Sequence, residues 1–283
     1  MVTLKEYTDY WCHTLENSYG EREAKNILLL ACEDVLNWTR SDVLANQNLN
    51  LNNQHKDELQ AILERLIEGE PYQYIVGFTY FCDLRIEVSP SVLIPRPETE
   101  ELAAWIRHDL PADFSGRIED WCTGSGCIAL ALKDFYKHAD VWGIDVSRDA
   151  IYRAQKNAEK LHLDVKFEVH SALSDELAYS DRLDVLVSNP PYIPVHEKEN
   201  MRRNVLDFEP ELALFVPSDE ALLFYLALGE QAKQRLVEGG LLYFELHEEY
   251  AHETKEVMEQ LGFKNIEVRN DMQGKPRMLK AIR

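Results

Sequence analysis

Hydrophobic positions in the first 70 residues recur at intervals of three and four. Ala24, Ile27, Leu28, Ala31 and Val35 share one helical face, as do Leu59, Ile62, Leu63, Leu66 and Ile67. An Asn-rich stretch at 46–54 interrupts the pattern, and Gly69 and Pro71 end it. The period then falls to two. Tyr72, Tyr74 and Val76, followed by Phe81, Leu84, Ile86 and Val88, predict a strand pair over 72–88. These changes divide the chain into a helical domain at 1–71, a β-hairpin linker at 72–92 and a larger domain at 93–283.

In the larger domain strands and helices alternate. Helices are expected at 97–108, 126–137, 148–161, 219–237 and 249–261, and strands at 117–122, 140–145, 164–169, 183–188 and 240–246. Residues 263–283 read as two strands around the Gln273-Gly274 turn. Such a βαβα series predicts an α/β fold, a parallel sheet with helices on both faces. The closing hairpin adds one antiparallel strand.

Charge narrows the partners. Thirty Lys and Arg stand against 50 Asp and Glu, a net charge of −20. Phosphate backbones are held by clustered cations, so duplex DNA and membrane surfaces are poor partners for this chain. The longest apolar runs, 27–32 and 221–228, are far shorter than a bilayer span, and the N-terminus lacks the basic and apolar regions of a signal peptide. Five cysteines without CxxC spacing read as reduced thiols in a cytoplasmic protein, with no bound metal.

Two loops carry the candidate chemistry. The strand at 117–122 runs into Cys122-Thr123-Gly124-Ser125-Gly126 and then a helix. Glycines suit a turn that a ligand approaches at the backbone. Asp145 closes the next strand, 19 residues after Gly126, where a carboxylate can accept both ribose hydroxyls. A nucleoside-type ligand follows, but not which one. Gly124 to Ala129 also satisfies the G-x-G-x-x-A dinucleotide fingerprint, so a NAD(P) oxidoreductase stays open at this point.

The second loop, Asn189-Pro190-Pro191-Tyr192, follows the buried strand 183–188. Strand carboxyl ends line the ligand crevice of an open α/β sheet, which puts this loop opposite the glycine loop. Consecutive prolines stiffen it and remove N–H donors. The Asn189 side-chain oxygen and the Pro190 carbonyl then form two acceptors suited to an –NH2 group on a planar system, with Tyr192 offering a flat face. Glu245, ending another strand, reads as a solvated strand-end acid, and His247 as a surface residue.

Asn-Pro-Pro-Tyr after a buried strand resembles the motif of class I S-adenosylmethionine-dependent methyltransferases that act on planar amino or amide nitrogens. Three further segments resemble the release factor glutamine methyltransferases (the PrmC/HemK family): residues 69–77, Gly-Glu-Pro-Tyr-Gln-Tyr-Ile-Val-Gly; residues 92–100, Val-Leu-Ile-Pro-Arg-Pro-Glu-Thr-Glu; and Phe208-Glu209-Pro210 with Ala213-Leu214. The resemblance implies a seven-stranded Rossmann-like sheet with a small N-terminal helical bundle. It implies S-adenosyl-L-methionine as cofactor, no metal, and as substrate the glutamine of the Gly-Gly-Gln loop of class I peptide chain release factors.

It also implies roles. Asn189, Pro190 and Tyr192 become catalytic. Cys122, Thr123, Gly124, Ser125, Gly126, Asp145, Val146, Ser171, Ala172 and Asn189 become cofactor contacts. Asn189, Pro190, Pro191, Tyr192, Arg96 and Glu209 become substrate contacts, although Glu209 could instead cap local structure and Arg96 brace the cofactor lid. Two positions depart from the family pattern. Cys122 replaces the first glycine, so its dihedral must be negative or strained. Ser171-Ala172 replaces an acidic residue followed by an aromatic or apolar one. A nucleic-acid amino-group methyltransferase, or an inactive scaffold that binds a translation partner, are the competing readings.

Overall fold

The computed structural model describes residues 2–174 and 182–283. Two compact units emerge. One comprises the chain up to Gly77 together with Arg202–Phe208, the other Phe78–Met201 and Glu209–Arg283.

The first unit is helical. Its elements are α1 (Leu4–Tyr19), α2 (Glu21–Leu36), α3 (Arg40–Ala45), α4 (Asn53–Ile67) and α5 (Tyr72–Val76). Thr3 caps α1 in a reciprocal box with Glu6, Thr39 caps α3 likewise with Asp42, and Asn52 caps α4, so orphan N–H groups at three helix starts are satisfied. The apolar stripes meet in a core of Leu4, Trp11, Leu28, Leu59 and Leu63, with the Trp11 indole N–H donating to the Ala24 carbonyl at 3.1 Å. Residues 72–76 form a helical turn where alternation predicts a strand. The N–H groups of Tyr74 and Ile75 reach back to the Pro71 carbonyl, and Gly77 ends the turn with φ +82°. Proline just before and glycine just after frame a helix, and that local chemistry outweighs a short period-two pattern.

The second unit opens with the hairpin β1 (Phe78–Phe81) and β2 (Leu84–Glu87), then α6 (Pro97–Asp109), β3 (Arg117–Trp121), α7 (Cys127–Phe135), β4 (Asp140–Asp145), α8 (Arg148–Leu161), β5 (Lys166–Val169) and β6 (Leu183–Ser188). It continues through β7 (Ile193–Pro194), α9 (Arg203–Phe208, counted with the first unit), β8 (Phe215–Val216), α10 (Leu223–Arg235), β9 (Leu236–Glu245), α11 (Ala251–Gln260), β10 (Lys264–Asn270) and β11 (Pro276–Ile282). Seven strands form one sheet in the order β10-β11-β9-β6-β3-β4-β5. The β5-β4-β3-β6-β9 ladder is parallel, and β11 runs antiparallel to both β9 and β10, the single reversed strand that the sequence predicts.

Strand β9 starts four residues earlier than its hydrophobic pattern does. Gly239 and Gly240 exchange backbone hydrogen bonds with Arg283, and Leu236 pairs with Leu183 beyond a register shift. Pairing with the chain end extends the strand, and no local signal carries that. Helix α10 starts later than expected because residues 217–223 form turns after Pro217. The short parallel pair β7-β8, in which Ile193 N–H donates to the Leu214 carbonyl at 3.0 Å, fixes the exit of the proline loop.

A core of Trp121, Leu186, Tyr225, Leu242, Phe244 and Leu279 fills one side of the sheet. Inside it lies an ion pair with two parallel bonds, Arg235 to Glu119 at 2.5 and 2.6 Å, both side chains within 2% of complete burial. The carboxyl ends of β3, β4 and β6 converge on the loops considered next.

Candidate active site

The glycine loop is held from both sides. Asp120, fully buried in β3, accepts from the Thr123 hydroxyl at 2.5 Å and from the Ala129 N–H at 3.1 Å, tying the loop's start to the first turn of α7. Asn157 of α8 donates to the Ser125 carbonyl at 2.9 Å. Gly126 has φ +81°, and a Cβ there would lie 3.1 Å from that of Ala154, so a side chain would be both strained and crowded. Gly124 also has positive φ, but open space surrounds it, as a backbone that receives a ligand requires. Cys122 adopts φ +59°, the strained alternative. A side chain in the left-handed region costs about 1 kcal/mol or more, and such strain gathers at functional sites. Burial pushes the Cys122 thiol pKa far up, which favours the neutral thiol over the thiolate.

Asp145 accepts from Gly124 N–H through Oδ2 and from Ser147 N–H through Oδ1, both at 2.9 Å. Its burial raises the carboxyl pKa, while the N–H groups of Ser147, Gly124 and Val146 pull it down. One carboxylate thus braces the glycine loop against the start of α8 and keeps lone pairs for a diol.

Across the crevice, Asn189 Nδ2 donates to Thr99 Oγ1 at 3.2 Å. The Thr99 hydroxyl donates to Glu245 Oε2 at 2.6 Å, and Glu245 Oε1 accepts from the Tyr192 hydroxyl at 3.0 Å. Glu245 is 1% exposed, and burial pushes its carboxyl pKa up. It is a buried hub, not the solvated acid its strand-end position suggests. His247, expected on the surface, is buried as well: its ring packs edge-on to Tyr192 and its Nε2 lies 3.2 Å from a Glu197 carboxylate oxygen.

Both loops face one cavity of about 400 Å³, within the ordinary range for small-ligand sites. Cys122, Thr123, Gly124 and Ser125 line it, with Asp145, Val146, Ser171, Ala172, Asn189, Pro191 and Arg96. Thr99, Phe224 and Leu93 are also part of the wall, and none of the three stands out in the sequence as a site residue. Pro190, Tyr192, Gly126 and Glu209 do not line the cavity. The Tyr192 ring packs against the sheet core and His247 instead of offering a face to a ligand. Glu209, 5% exposed, pairs with Arg96 Nη2 at 2.6 Å and accepts from Ile94 N–H at 3.3 Å, so it pins the Ile94–Arg96 backbone from behind. Among the described residues no group of His, Cys, Asp or Glu is arranged to hold a metal ion.

The whole chain has curated relatives. It is 38% identical over 280 residues to the release factor glutamine methyltransferase of Bacteroides thetaiotaomicron, an alignment covering 99% of this chain and 100% of that one. The chain belongs to the release factor glutamine methyltransferase family. The family's protein from Flavobacterium psychrophilum is 37% identical, with 99% of each chain aligned. The PrmC N-terminal domain matches residues 6–77, and the methyltransferase small domain matches 102–207. Among solved structures the fold recurs in a 16S rRNA N2 G1207 methyltransferase from T. thermophilus, at a TM-score of 0.53 and 18% identity, covering 73% of this chain and 49% of that one. A methyltransferase from Pyrococcus furiosus gives a TM-score of 0.52 and 19% identity, covering 70% of this chain and 88% of that one. Family membership decides between the two ligand classes that the glycine fingerprint leaves open.

The donor set fits the family's cofactor. A carboxylate with free lone pairs suits a ribose, an open glycine at the backbone suits a charged tail, and the exposed apolar Val146 with the small Ala172 suits a flat base.

Proposed function

We propose that this protein transfers a methyl group from S-adenosyl-L-methionine to the N5 amide nitrogen of the glutamine in the Gly-Gly-Gln loop of class I peptide chain release factors, in the cytoplasm. One observation carries the reading: Asn189 and Pro191 of the proline corner and the Gly124–Asp145 cradle border the same cavity. In this reading residues 122–126 with Asp145, Val146, Ser171 and Ala172 hold the cofactor. Asn189, Pro190 and Pro191 hold the substrate, with Arg96 beside them.

The bound cofactor supplies an activated methyl on a sulfonium leaving group, so the protein's task is positioning and electrostatics. A carboxamide nitrogen is a poor nucleophile because its lone pair is delocalised. Asn189 Oδ1 and the Pro190 carbonyl would accept its two N–H bonds and orient the nitrogen toward the cofactor side of the cavity. Alignment of this kind lowers a barrier by up to roughly 7–11 kcal/mol. No base is needed at the moment of attack, since the methylated nitrogen becomes acidic and then sheds its proton. Tyr192 supports this reading: burial holds its pKa far above the ordinary value, and its hydroxyl keeps its proton while donating a hydrogen bond to Glu245. Tyr192 therefore acts behind the acceptor loop, not as a base. A surface of net charge −20 suits a protein substrate better than a phosphate backbone.

The test offers labelled methyl donor, a release factor and duplex DNA together. Label on the release factor glutamine is the expected result, and label on DNA bases overturns the assignment.

A further inference from the structure

An asparagine carboxamide has nearly the same shape whichever way round it sits, so its hydrogen-bond partners decide which end faces a ligand. At Asn189 that decision is made one and two side chains away. Thr99 Oγ1 carries a single proton, and at 2.6 Å from Glu245 Oε2 it donates that proton in a hydrogen bond to the carboxylate. The ionised form of Glu245 is opposed by burial and favoured by the Thr99 and Tyr192 hydrogen bonds and the Arg277 charge. Toward Asn189, 3.2 Å away, the Thr99 oxygen can then only accept, so the Asn189 –NH2 must turn to it. Glu245 is held as an acceptor at its other oxygen too, by the Tyr192 hydroxyl at 3.0 Å. Both side chains are nearly buried, Thr99 at 2% and Glu245 at 1% exposure.

We propose that Thr99 and Glu245 are positioning residues whose directional hydrogen-bond relay forces the Asn189 oxygen, and not its –NH2, to face the cavity. The inference deepens the glutamine-transfer reading and rests on it for its effect on rate. Without the Glu245 acceptor, Thr99 is free to donate to the Asn189 oxygen. The carboxamide then turns over and meets the substrate –NH2 donor to donor. Neither residue touches the acceptor nitrogen in this arrangement. They select for an amide or amino substrate through Asn189.

The test follows the Asn189 side-chain amide by NMR in full-length protein carrying 15N-asparagine, alongside kinetics and calorimetry. In the wild type one Nδ2 proton should exchange with water at least about tenfold more slowly than in a free carboxamide, as a buried hydrogen bond of about 1.4 kcal/mol requires. Thr99→Val keeps the shape and removes the hydroxyl. It should abolish that protection and lower kcat about tenfold or more, with cofactor Kd unchanged within about twofold. Thr99→Ser should restore both. Glu245→Met should lower kcat, while Glu245→Gln, whose amide oxygen still accepts from Thr99, should retain most of it.

Unprotected Asn189 amide protons in the wild type would overturn the relay with no variant needed. So would Thr99→Val with wild-type exchange and kcat, or a kcat loss that Thr99→Ser does not reverse. If the exchange results appear as expected but the wild type methylates no release factor, the relay stands and the functional reading falls.

Discussion

Replacing Asp145 by Asn should weaken the cofactor site by an amount the geometry sets. The native carboxylate accepts one backbone N–H at each oxygen, from Gly124 and Ser147, both at 2.9 Å. Asparagine of the same shape keeps one of these bonds and turns an –NH2 toward the other N–H. One charge-assisted bond, about 1.5–3 kcal/mol, is lost and a donor is left facing a donor. Removing a charge whose burial already raised its pKa offsets part of this in the free protein, so the fold itself should lose only about 1–2 kcal/mol. The bound diol loses more. Its two hydroxyls meet a single acceptor oxygen, and a further charge-assisted bond disappears. At 1.4 kcal/mol per decade, Kd for the cofactor should rise roughly 10- to 100-fold. Isothermal titration at pH 8 with S-adenosyl-L-methionine and with S-adenosylhomocysteine measures it, and circular dichroism monitors the fold. A Kd within about threefold of wild type, in a folded variant, would refute the assignment of Asp145 to the ribose.

Asn189→Ala should show the opposite profile: kcat lower by about a hundredfold, the scale of losing one preorganised polar contact to the reacting group, with cofactor Kd within about threefold. A loss confined to Kd would contradict the role given to Asn189. Burial raises the Asp120 carboxyl to about 7, with the Asp145 charge adding to the rise and the Thr123 and Ala129 hydrogen bonds opposing it. An acid that binds its proton more tightly when folded contributes stability fully below the ordinary Asp pKa near 4 and loses it as pH climbs through about 7. Urea midpoints should therefore fall between pH 5 and 8, and Asp120→Asn should flatten that dependence. Parallel slopes for the two proteins would exclude it. Arg235→Met strips the cation from a buried pair and leaves Glu119 to Arg117 and the Trp121 indole, at a cost of about 3–5 kcal/mol. In a chain of this size the melting temperature should drop by about 10 °C, while the activity of the folded fraction is retained.

The parts of the site that are legible in the sequence are those whose chemistry is local. The glycine loop, Asp145 at a strand end and the Asn189-Pro190-Pro191 corner each announce themselves within a few residues, and strand–helix alternation places them at one edge of the sheet. The supports are not local. Thr99 and Glu245 are 146 residues apart, and Arg96 and Glu209 are separated by 113. An acid ending a strand looks solvated until a threonine from a distant helix and a tyrosine from the next loop close over it. Tyr192 illustrates the same limit from the other side: its motif predicts a ring beside the ligand, yet the hydroxyl's attraction to buried Glu245 and the packing against His247 draw it behind the loop. A second signal was available for Glu245, since it follows the apolar run 241–244 and shares its sheet edge with Asp145 and Asn189. Residues 72–76 show the converse, where flanking Pro71 and Gly77 carried more information than the alternation between them.

The most direct test is a crystal structure of the protein with S-adenosylhomocysteine and a peptide containing Gly-Gly-Gln. The account predicts the glutamine side-chain nitrogen within hydrogen-bond distance of both Asn189 Oδ1 and the Pro190 carbonyl, facing the sulfur. A glutamine bound elsewhere, or one whose nitrogen meets the Asn189 –NH2, would contradict it.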